Sequence, residues 1–448
     1  MSKITVDTGK TIGKIRPMHA VNNGPVAGAG RGKFEFLKEA GIPYARTHDT
    51  GGQYGASVYV DIENIFRNFD ADVNDPASYD FAFTDWLFER YEENGTKPFY
   101  RLGCTIENQH AIKAYRIYPP KDNLKWAQIC EHIILHYNEG WANGYRYGIE
   151  YWEIWNEPDN EPEIADNPMW KGTKEQFFEL YATAASYLKG KFPKLKIGGY
   201  ASCGFYKIAQ IEANPNANIS PRIDYFVEFF HDFLQYITDE KHKAPLDFFS
   251  WHSYANLEAN VIFSNYARKT LDEYGFIQTE QLCNEWNPGI KLRGTLRDAA
   301  NIAANMIAWH YTSLSMAMYY DWRLNLSYNG AIGANVIFEQ KPFKAFYSFK
   351  AFNELYKKGA QVSAVSNEGK VYALGAKDEN ELAVLIVNYT DEAREIAIEA
   401  EGADYAGASV LLIDETHTYE EATLGDFAES QILKLEKDAV ALLKIPLK

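Results

Sequence analysis

Two short stretches of the chain carry the residue types that acid–base chemistry needs. Residues 150–158 read Glu-Tyr-Trp-Glu-Ile-Trp-Asn-Glu-Pro, an apolar, aromatic-rich run that stops on Asn156-Glu157-Pro158. A buried strand that delivers a polar pair at its C-terminal end has this pattern, and Pro158 cannot continue a strand ladder. Residues 278–288 repeat the theme as Gln-Thr-Glu-Gln-Leu-Cys-Asn-Glu-Trp-Asn-Pro, with Glu285 at the tip. Two glutamates on two strand tips suit cleavage of a glycosidic bond: one carboxyl protonates the leaving oxygen, and the other attacks the sugar or activates water. The chain holds 61 acidic residues, so a lone Asn-Glu pair means little. The weight rests on the full Trp-Asn-Glu-Pro and on its counterpart at the matching place in a strand–helix alternation.

The surroundings of each glutamate suggest its role. Trp155 and Pro158 flank Glu157, and an apolar setting would raise its pKa and make it the proton donor. Glu285 must then stay ionised to attack, with His252 and Tyr254 from the neighbouring strand tip as its expected partners. Asn156 is placed to hold the sugar hydroxyl next to the anomeric carbon. Arg46, His48 and Asp49 share another strand end; Arg46 either contacts substrate or pairs with a buried acid such as Glu285, and His48 either contacts ligand or packs in the core. Trp322 is expected to floor the sugar ring, with core packing as the alternative. Asn22 and Glu107 complete the set of substrate-binding candidates. No strand carries His-x-His, so neither a metal nor another cofactor is expected. Retaining enzymes hold their carboxyls about 5–5.5 Å apart, and two side chains reaching across a narrow lumen favour that distance.

The elements that must position these residues alternate along the chain. Strands read at Met18–Asn23, Tyr44–Asp49, Lys97–Gly103, Tyr151–Glu157, Lys196–Ser202, Phe248–Tyr254, Gln278–Trp286 and Ala317–Arg323, each followed by helical spacing. Eight such units predict an α/β chain closed as a (β/α)₈ TIM barrel, with the polar candidates at the strand C-termini that hold active sites in that fold. An open doubly wound sheet is the rival, but Gly28-Ala-Gly30-Arg-Gly32 lacks the spacing of a nucleotide-binding turn. After about residue 361 the pattern changes to alternating strands with turns and no evident helix, which predicts a small C-terminal antiparallel β-sandwich. The expected division is 1–16 as N-terminal strands joining the sandwich, 17–360 as the catalytic barrel and 361–448 as the sandwich.

Bulk composition narrows the function classes. The 448 residues are 46% hydrophobic and 24% charged, ordinary for a globular chain. Aromatics reach 15%; most fill a core, and the surplus suits stacking on sugar rings. A net charge of −16 with no basic stripe argues against nucleic acid. The N-terminus lacks a signal-peptide core and no stretch approaches a membrane span, so a cytoplasmic, membrane-free protein is expected. Cys104, Cys130, Cys203 and Cys283 lie far apart and are read as reduced. The expected partner is an oligosaccharide or glycoside; homo-oligomer formation is left open.

These motifs resemble glycoside hydrolase family 39, in the large clan of retaining barrel glycosidases. In that clan an Asn-Glu-Pro on the fourth strand carries the acid/base and a Glu on the seventh is the nucleophile, which Asn156, Glu157 and Glu285 match. Arg46 and His48 match an Arg-x-His on the second strand, His252 and Tyr254 a His-x-Tyr on the sixth, and Trp322 the Trp on the eighth. The resemblance covers nearly the whole chain and implies an exo-acting, β-xylosidase-like retaining hydrolase. The family's xylosidases carry paired acids after strand eight, whereas this chain reads Asp321-Trp-Arg-Leu-Asn325, and Arg101-Leu-Gly-Cys104 also departs from their form. A β-galactoside, β-glucoside or α-L-arabinoside therefore stays open as substrate, and a catalytically inactive carbohydrate-binding barrel or a purely structural barrel stands as the reading from a different class.

Overall fold

The computed structural model describes residues 2–23, 33–48, 50, 60–105, 115–322, 332–336 and 339–448. Strand β1 (Ser2–Lys14) precedes eight strands that close into a parallel barrel: β2 (Ala20–Asn22), β3 (Tyr44–Arg46), β4 (Lys97–Leu102), β5 (Tyr151–Ile154), β6 (Lys196–Ser202), β7 (Phe248–Ser253), β8 (Glu280–Trp286) and β9 (Met316–Tyr319). The ring closes where Ala20 and Val21 of β2 pair with Met318 and Tyr319 of β9. Helices cover the outside: α1 (Glu35–Ala40), α2 (Ile62–Ile65), α3 (Ala82–Glu93), α4 (Asn123–Asn138), α5 (Lys174–Lys191), α6 (Tyr206–Ala213), α7 (Pro221–Thr238), α8 (Leu257–Glu273), α9 (Leu296–His310) and α10 (Lys344–Lys358). Among the described residues no helix is long and apolar enough to cross a membrane, and all four cysteines are buried and free.

Local chemistry explains the helix starts. The Thr173 hydroxyl accepts from the Gln176 N–H while the Gln176 side chain accepts from the Thr173 N–H, the reciprocal box expected for α5. Ser220 caps α7 and Pro221 occupies its first turn, where no N–H is missed. Helix α6 has no buried residue, so no apolar stripe announces it in the sequence.

The lumen is layered. Ala20, Phe99, Tyr151, Phe248, Leu282, Met316 and Met318 form an apolar plug. Two residues further along, the period-2 pleat brings Asn22, Arg46, Arg101, Glu153, Ser250 and Asn284 to the same side. The floor below the C-terminal face is therefore polar, and all six are fully buried.

After a short ribbon, β10 (Ile332–Val336) and β11 (Glu339–Pro342), the chain builds β12 (Ala360–Ser366), β13 (Val371–Lys377), β14 (Glu381–Asn388), β15 (Arg394–Ala400), β16 (Ser409–Ile413), β17 (Thr418–Ala422), the short helix α11 (Phe427–Ser430), β18 (Ile432–Leu435) and β19 (Val440–Pro446). The expected sandwich is made from one curled nine-stranded sheet, in the order β17-β16-β19-β14-β13-β12-β1-β15-β18. It is antiparallel except where β1 pairs parallel with β15. One face closes on a core of Ile4, Val384, Ile396, Val410 and Leu443. The other contributes Leu374, Leu385 and Leu442 to the core that includes the barrel helices. The N-terminal segment, expected as strands over 1–16, is one strand with register shifts between Asp7 and Gly13. The helix α11 and the strands β12 and β17 were not anticipated.

Candidate active site

The tip of β5 leaves the strand earlier than its apolar run suggests. Trp155 and Glu157 have φ of 74° and 45°, left-handed values that break a pleat and gather at functional sites. Asn156 and Glu157 thereby turn over the lumen, and the Glu157 N–H donates to the Ala201 carbonyl at 3.0 Å.

Strand β8 uses a different device. Trp251 pairs with Cys283, but His252 pairs with Glu285, so one residue is skipped in the ladder. Leu282 fills the lumen plug, and Asn284 and Glu285 both bond to lumen side chains. Trp286 packs outside against Trp309 and Tyr319, with ring centroids 4.9 and 5.1 Å away. An extra residue of this kind re-aims a side chain, and here it turns Glu285 inward.

His252 stands between the two glutamates. Its Nδ1 lies 2.7 Å from Glu157 Oε1 and its Nε2 3.6 Å from Glu285 Oε2. One carboxylate oxygen of each glutamate and a His252 nitrogen lie within 4.8 Å of one another. Glu285 Oε1 accepts from the Tyr254 hydroxyl, and Oε2 from Arg46 Nη1 at 3.2 Å. Glu157 Oε2 accepts from Asn160 Nδ2 at 2.7 Å. These atoms fit a metal ion poorly, because it would sit against the Arg46 guanidinium that already bonds Glu285.

Arg46 organises the layer below. Its Nε bonds Glu153 Oε2 at 2.7 Å, Nη2 bonds Asn156 Oδ1 at 2.6 Å, and Nη1 reaches Asn22 Oδ1 at 3.2 Å as well as Glu285. Glu153 is closed off by Ser250 Oγ at 2.6 Å and by Asn284 Nδ2. A buried charge pair survives when its remaining lone pairs are satisfied, as they are here.

The apolar surround expected to raise Glu157 is not what the fold provides. Burial pushes its carboxyl up, but the His252 and Asn160 bonds and the nearby Arg46 outweigh burial and hold it below the usual glutamate value. Glu285 is the one pushed up, to about 7, by burial and by the charge of Glu157, against His252, Arg46 and Tyr254. Burial disfavours the charged form of His252, yet Glu285 and Glu157 on either side keep it above the ordinary imidazole value. Next along the chain, burial foremost raises Asp159 to about 7.

Of the residues singled out in the sequence, Asn22, Arg46, Asn156, Tyr254 and Glu285 join one hydrogen-bonded network, and the bonded pair His252 and Glu157 meets it where His252 Nε2 lies 3.6 Å from Glu285. Arg46 is the buried partner of both Glu285 and Glu153. His48 is buried at the end of β3. Trp322 is fully buried against Phe346 and Phe349 of α10, and its indole N–H has no hydrogen-bond partner among the described residues. Asp49, Glu107, Arg323 and the glycine-rich residues 28–32 lie outside the described residues. Sequence reasoning missed Glu153, Ser250, Asn284 and Asn160. A charge inside the apolar run Tyr151–Ile154 was the available signal for Glu153.

The profile of the glycosyl hydrolases of family 39 matches residues 2–369. The chain belongs to glycosyl hydrolase family 39. It is 27% identical over 270 residues to a beta-xylosidase of Caldicellulosiruptor saccharolyticus, covering 56% of this chain and 46% of that protein. It is 26% identical over 214 residues to a beta-xylosidase of Geobacillus stearothermophilus, covering 45% and 36%. The matches thus span less than half the length of these two beta-xylosidases. A glucosidase from Croceicoccus marinus shares the fold, with a TM-score of 0.75 at 20% identity over 100% of this chain and 99% of that one.

Proposed function

We propose that this family 39 chain is an exo-acting retaining glycoside hydrolase, β-xylosidase-like, with Glu157 as acid/base and Glu285 as nucleophile. The observation that carries the reading is the approach of the two carboxylates to within 4.8 Å across His252, the short spacing that double displacement uses. Roles follow from which partner can lose its charge. An arginine guanidinium holds its charge, and Arg46 bonds Glu285; an imidazole can give up a proton, and His252 bonds Glu157. A proton moving from His252 Nδ1 to Glu157 Oε1 leaves Glu157 neutral while Glu285 still faces Arg46 and Tyr254.

Glu285 then attacks the anomeric carbon as the glycosidic C–O bond breaks, and the leaving oxygen takes the Glu157 proton. The ester so formed removes the charge of Glu285, which lowers the proton affinity of Glu157 and suits it to act as base. Glu157 deprotonates a water, that water adds to the anomeric carbon, and Glu285 is released. Asn156, held by Arg46, is positioned for the neighbouring sugar hydroxyl. Neither step consumes a cofactor.

The test is a panel of nitrophenyl β-xyloside, β-galactoside, β-glucoside and α-L-arabinoside, with the first product's anomer read by NMR. Turnover of the xyloside with retention is expected. Turnover of another sugar would reassign the substrate, and no turnover on any would support the carbohydrate-binding alternative. In Glu285→Gly, azide should restore turnover with an inverted glycosyl azide; a retained azide would falsify the nucleophile assignment. Glu157→Ala should slow poor leaving groups by about 10²–10⁴-fold and nitrophenyl leaving groups less.

A further inference from the structure

Arg222, in the first turn of α7, reaches back to the loop behind Glu157. Its Nη2 donates to Asn160 Oδ1 at 3.0 Å and its Nε to the Asn160 carbonyl at 2.7 Å. Glu161 Oε1 lies 2.7 Å from the same Nε, and the guanidinium sits over the Phe226 ring at 5.4 Å. Asn160 is buried, and its other amide atom, Nδ2, is the one bonded to Glu157 Oε2.

An arginine only donates hydrogen bonds, so the Asn160 atom that faces it must be the oxygen. The NH₂ is then forced toward Glu157, and an NH₂ can only donate. Glu157 Oε2 is thereby committed as an acceptor and cannot carry a proton toward Asn160. Without Arg222 the amide is free to turn over, and its oxygen would accept from a protonated Oε2 equally well.

We propose that Arg222 is a positioning residue for Glu157: by fixing the orientation of the Asn160 amide it keeps Oε2 free of the proton and confines the exchangeable proton to Oε1, beside His252. This rests on the reading of Glu157 as the acid/base. The direction agrees with Asn160 being among the groups that hold the Glu157 carboxyl below its usual value. The other groups acting on Glu157 are His252 from β7, Glu285 from β8, Arg46 from β3, Asp159 on its own loop, and Cys203 and Tyr206 beyond β6. Replacing Arg222 removes none of these side chains, and it leaves Glu161 without its cation.

The test compares the pH dependence of kcat/KM for the wild type, Arg222→Met, Asn160→Leu and the double variant, on whichever nitrophenyl glycoside is turned over. The alkaline limb reports loss of the acid's proton from the free enzyme. Removing a donor from the ionised carboxylate should raise its proton affinity and move that limb up by about one pH unit. The expected result is the same upward shift in both single variants with no further shift in the double. An unmoved limb in Arg222→Met, or a fall in kcat with the limb in place, overturns the proposal. Glu157→Ala separates the two ideas. If it keeps the wild-type limb, the acid/base reading itself fails. If it loses the limb while Arg222→Met leaves the limb unmoved, only the role of Arg222 fails.

Discussion

At the scale of single residues, the site is a balance of buried charges, and each is open to measurement. Arg46 faces Glu153 and Glu285 with every side completely buried or nearly so. Arg46→Met should cost about 3–5 kcal/mol, because the acids lose the cation that offsets their burial. Arg46→Met with Glu153→Leu should recover part of that in urea unfolding, although activity stays lost. A double variant no more stable than the single would sink the argument. Asp159 gives a pH signature. Its folded pKa of about 7 lies above the 3.8 of an ordinary aspartate, so the folded state holds an extra proton between those values. The stability this group lends is present below about pH 4 and is lost as pH rises through 7. Asp159→Asn should gain on the wild type in melting temperature from pH 4.5 to 8; a constant gap would contradict it. The two glutamates were legible in the sequence because each closes an apolar run within a few residues. Glu153, Ser250 and Asn160 were not, because each acts through a hydrogen bond whose other end is far away in the chain or whose meaning depends on Glu157's orientation.

At the scale of elements, the sequence located strands and helices well and strand tips poorly. Strand β6 coincides with its expected bounds, Lys196–Ser202. The β5 and β9 tips were read three and four residues too long, since composition does not mark the point where backbone conformation changes. The skipped residue in β8 was invisible to a period-2 reading, which would have put Asn284 inside and Glu285 outside. Glycine marks another place where backbones decide. A Cβ on Gly198 of β6 would lie 2.1 Å from the Phe248 carbonyl oxygen, whereas one on Gly190 near the end of α5 would meet nothing within 4 Å. Gly198→Ala must pry β6 from β7 beneath the site. It should destabilise strongly and disturb activity through the β5 tip that carries Glu157 and the strand β7 that carries His252. Gly190→Ala should be neutral or stabilise by up to about 1 kcal/mol. Thermal melts of the two variants shifting in the same direction would refute the close-packing account of β6.

At the scale of the molecule, the barrel and the curled sheet share apolar surface. The division we propose, 17–360 for the barrel and 1–16 with 361–448 for the sheet, separates two folding patterns but cuts through a common core. Leu374, Ala376, Leu385, Val387 and Leu442 of the sheet belong to the same cluster as Ala303, Phe346, Phe349 and Leu355 of α9 and α10. Arg297 of α9 also stacks 3.6 Å over the Tyr389 ring and pairs with Asp438. Across the sheet, β1 is an inner strand: Thr5 pairs with Val365 on one side and Glu399 on the other. Removing residues 2–14 would leave β15 and β18 without their tie to β12, and expose the ladder groups of β12. Residues 17–360 expressed alone would expose the apolar seam of α9 and α10, and a patch of that kind promotes association. The isolated barrel segment is therefore expected to aggregate or to bind a hydrophobic dye, and the chain lacking 2–14 to lose its single cooperative melt. A barrel segment that stays monodisperse and melts at the temperature of the whole chain would show that the shared seam contributes little, and that the sheet is an accessory to the barrel rather than part of its core.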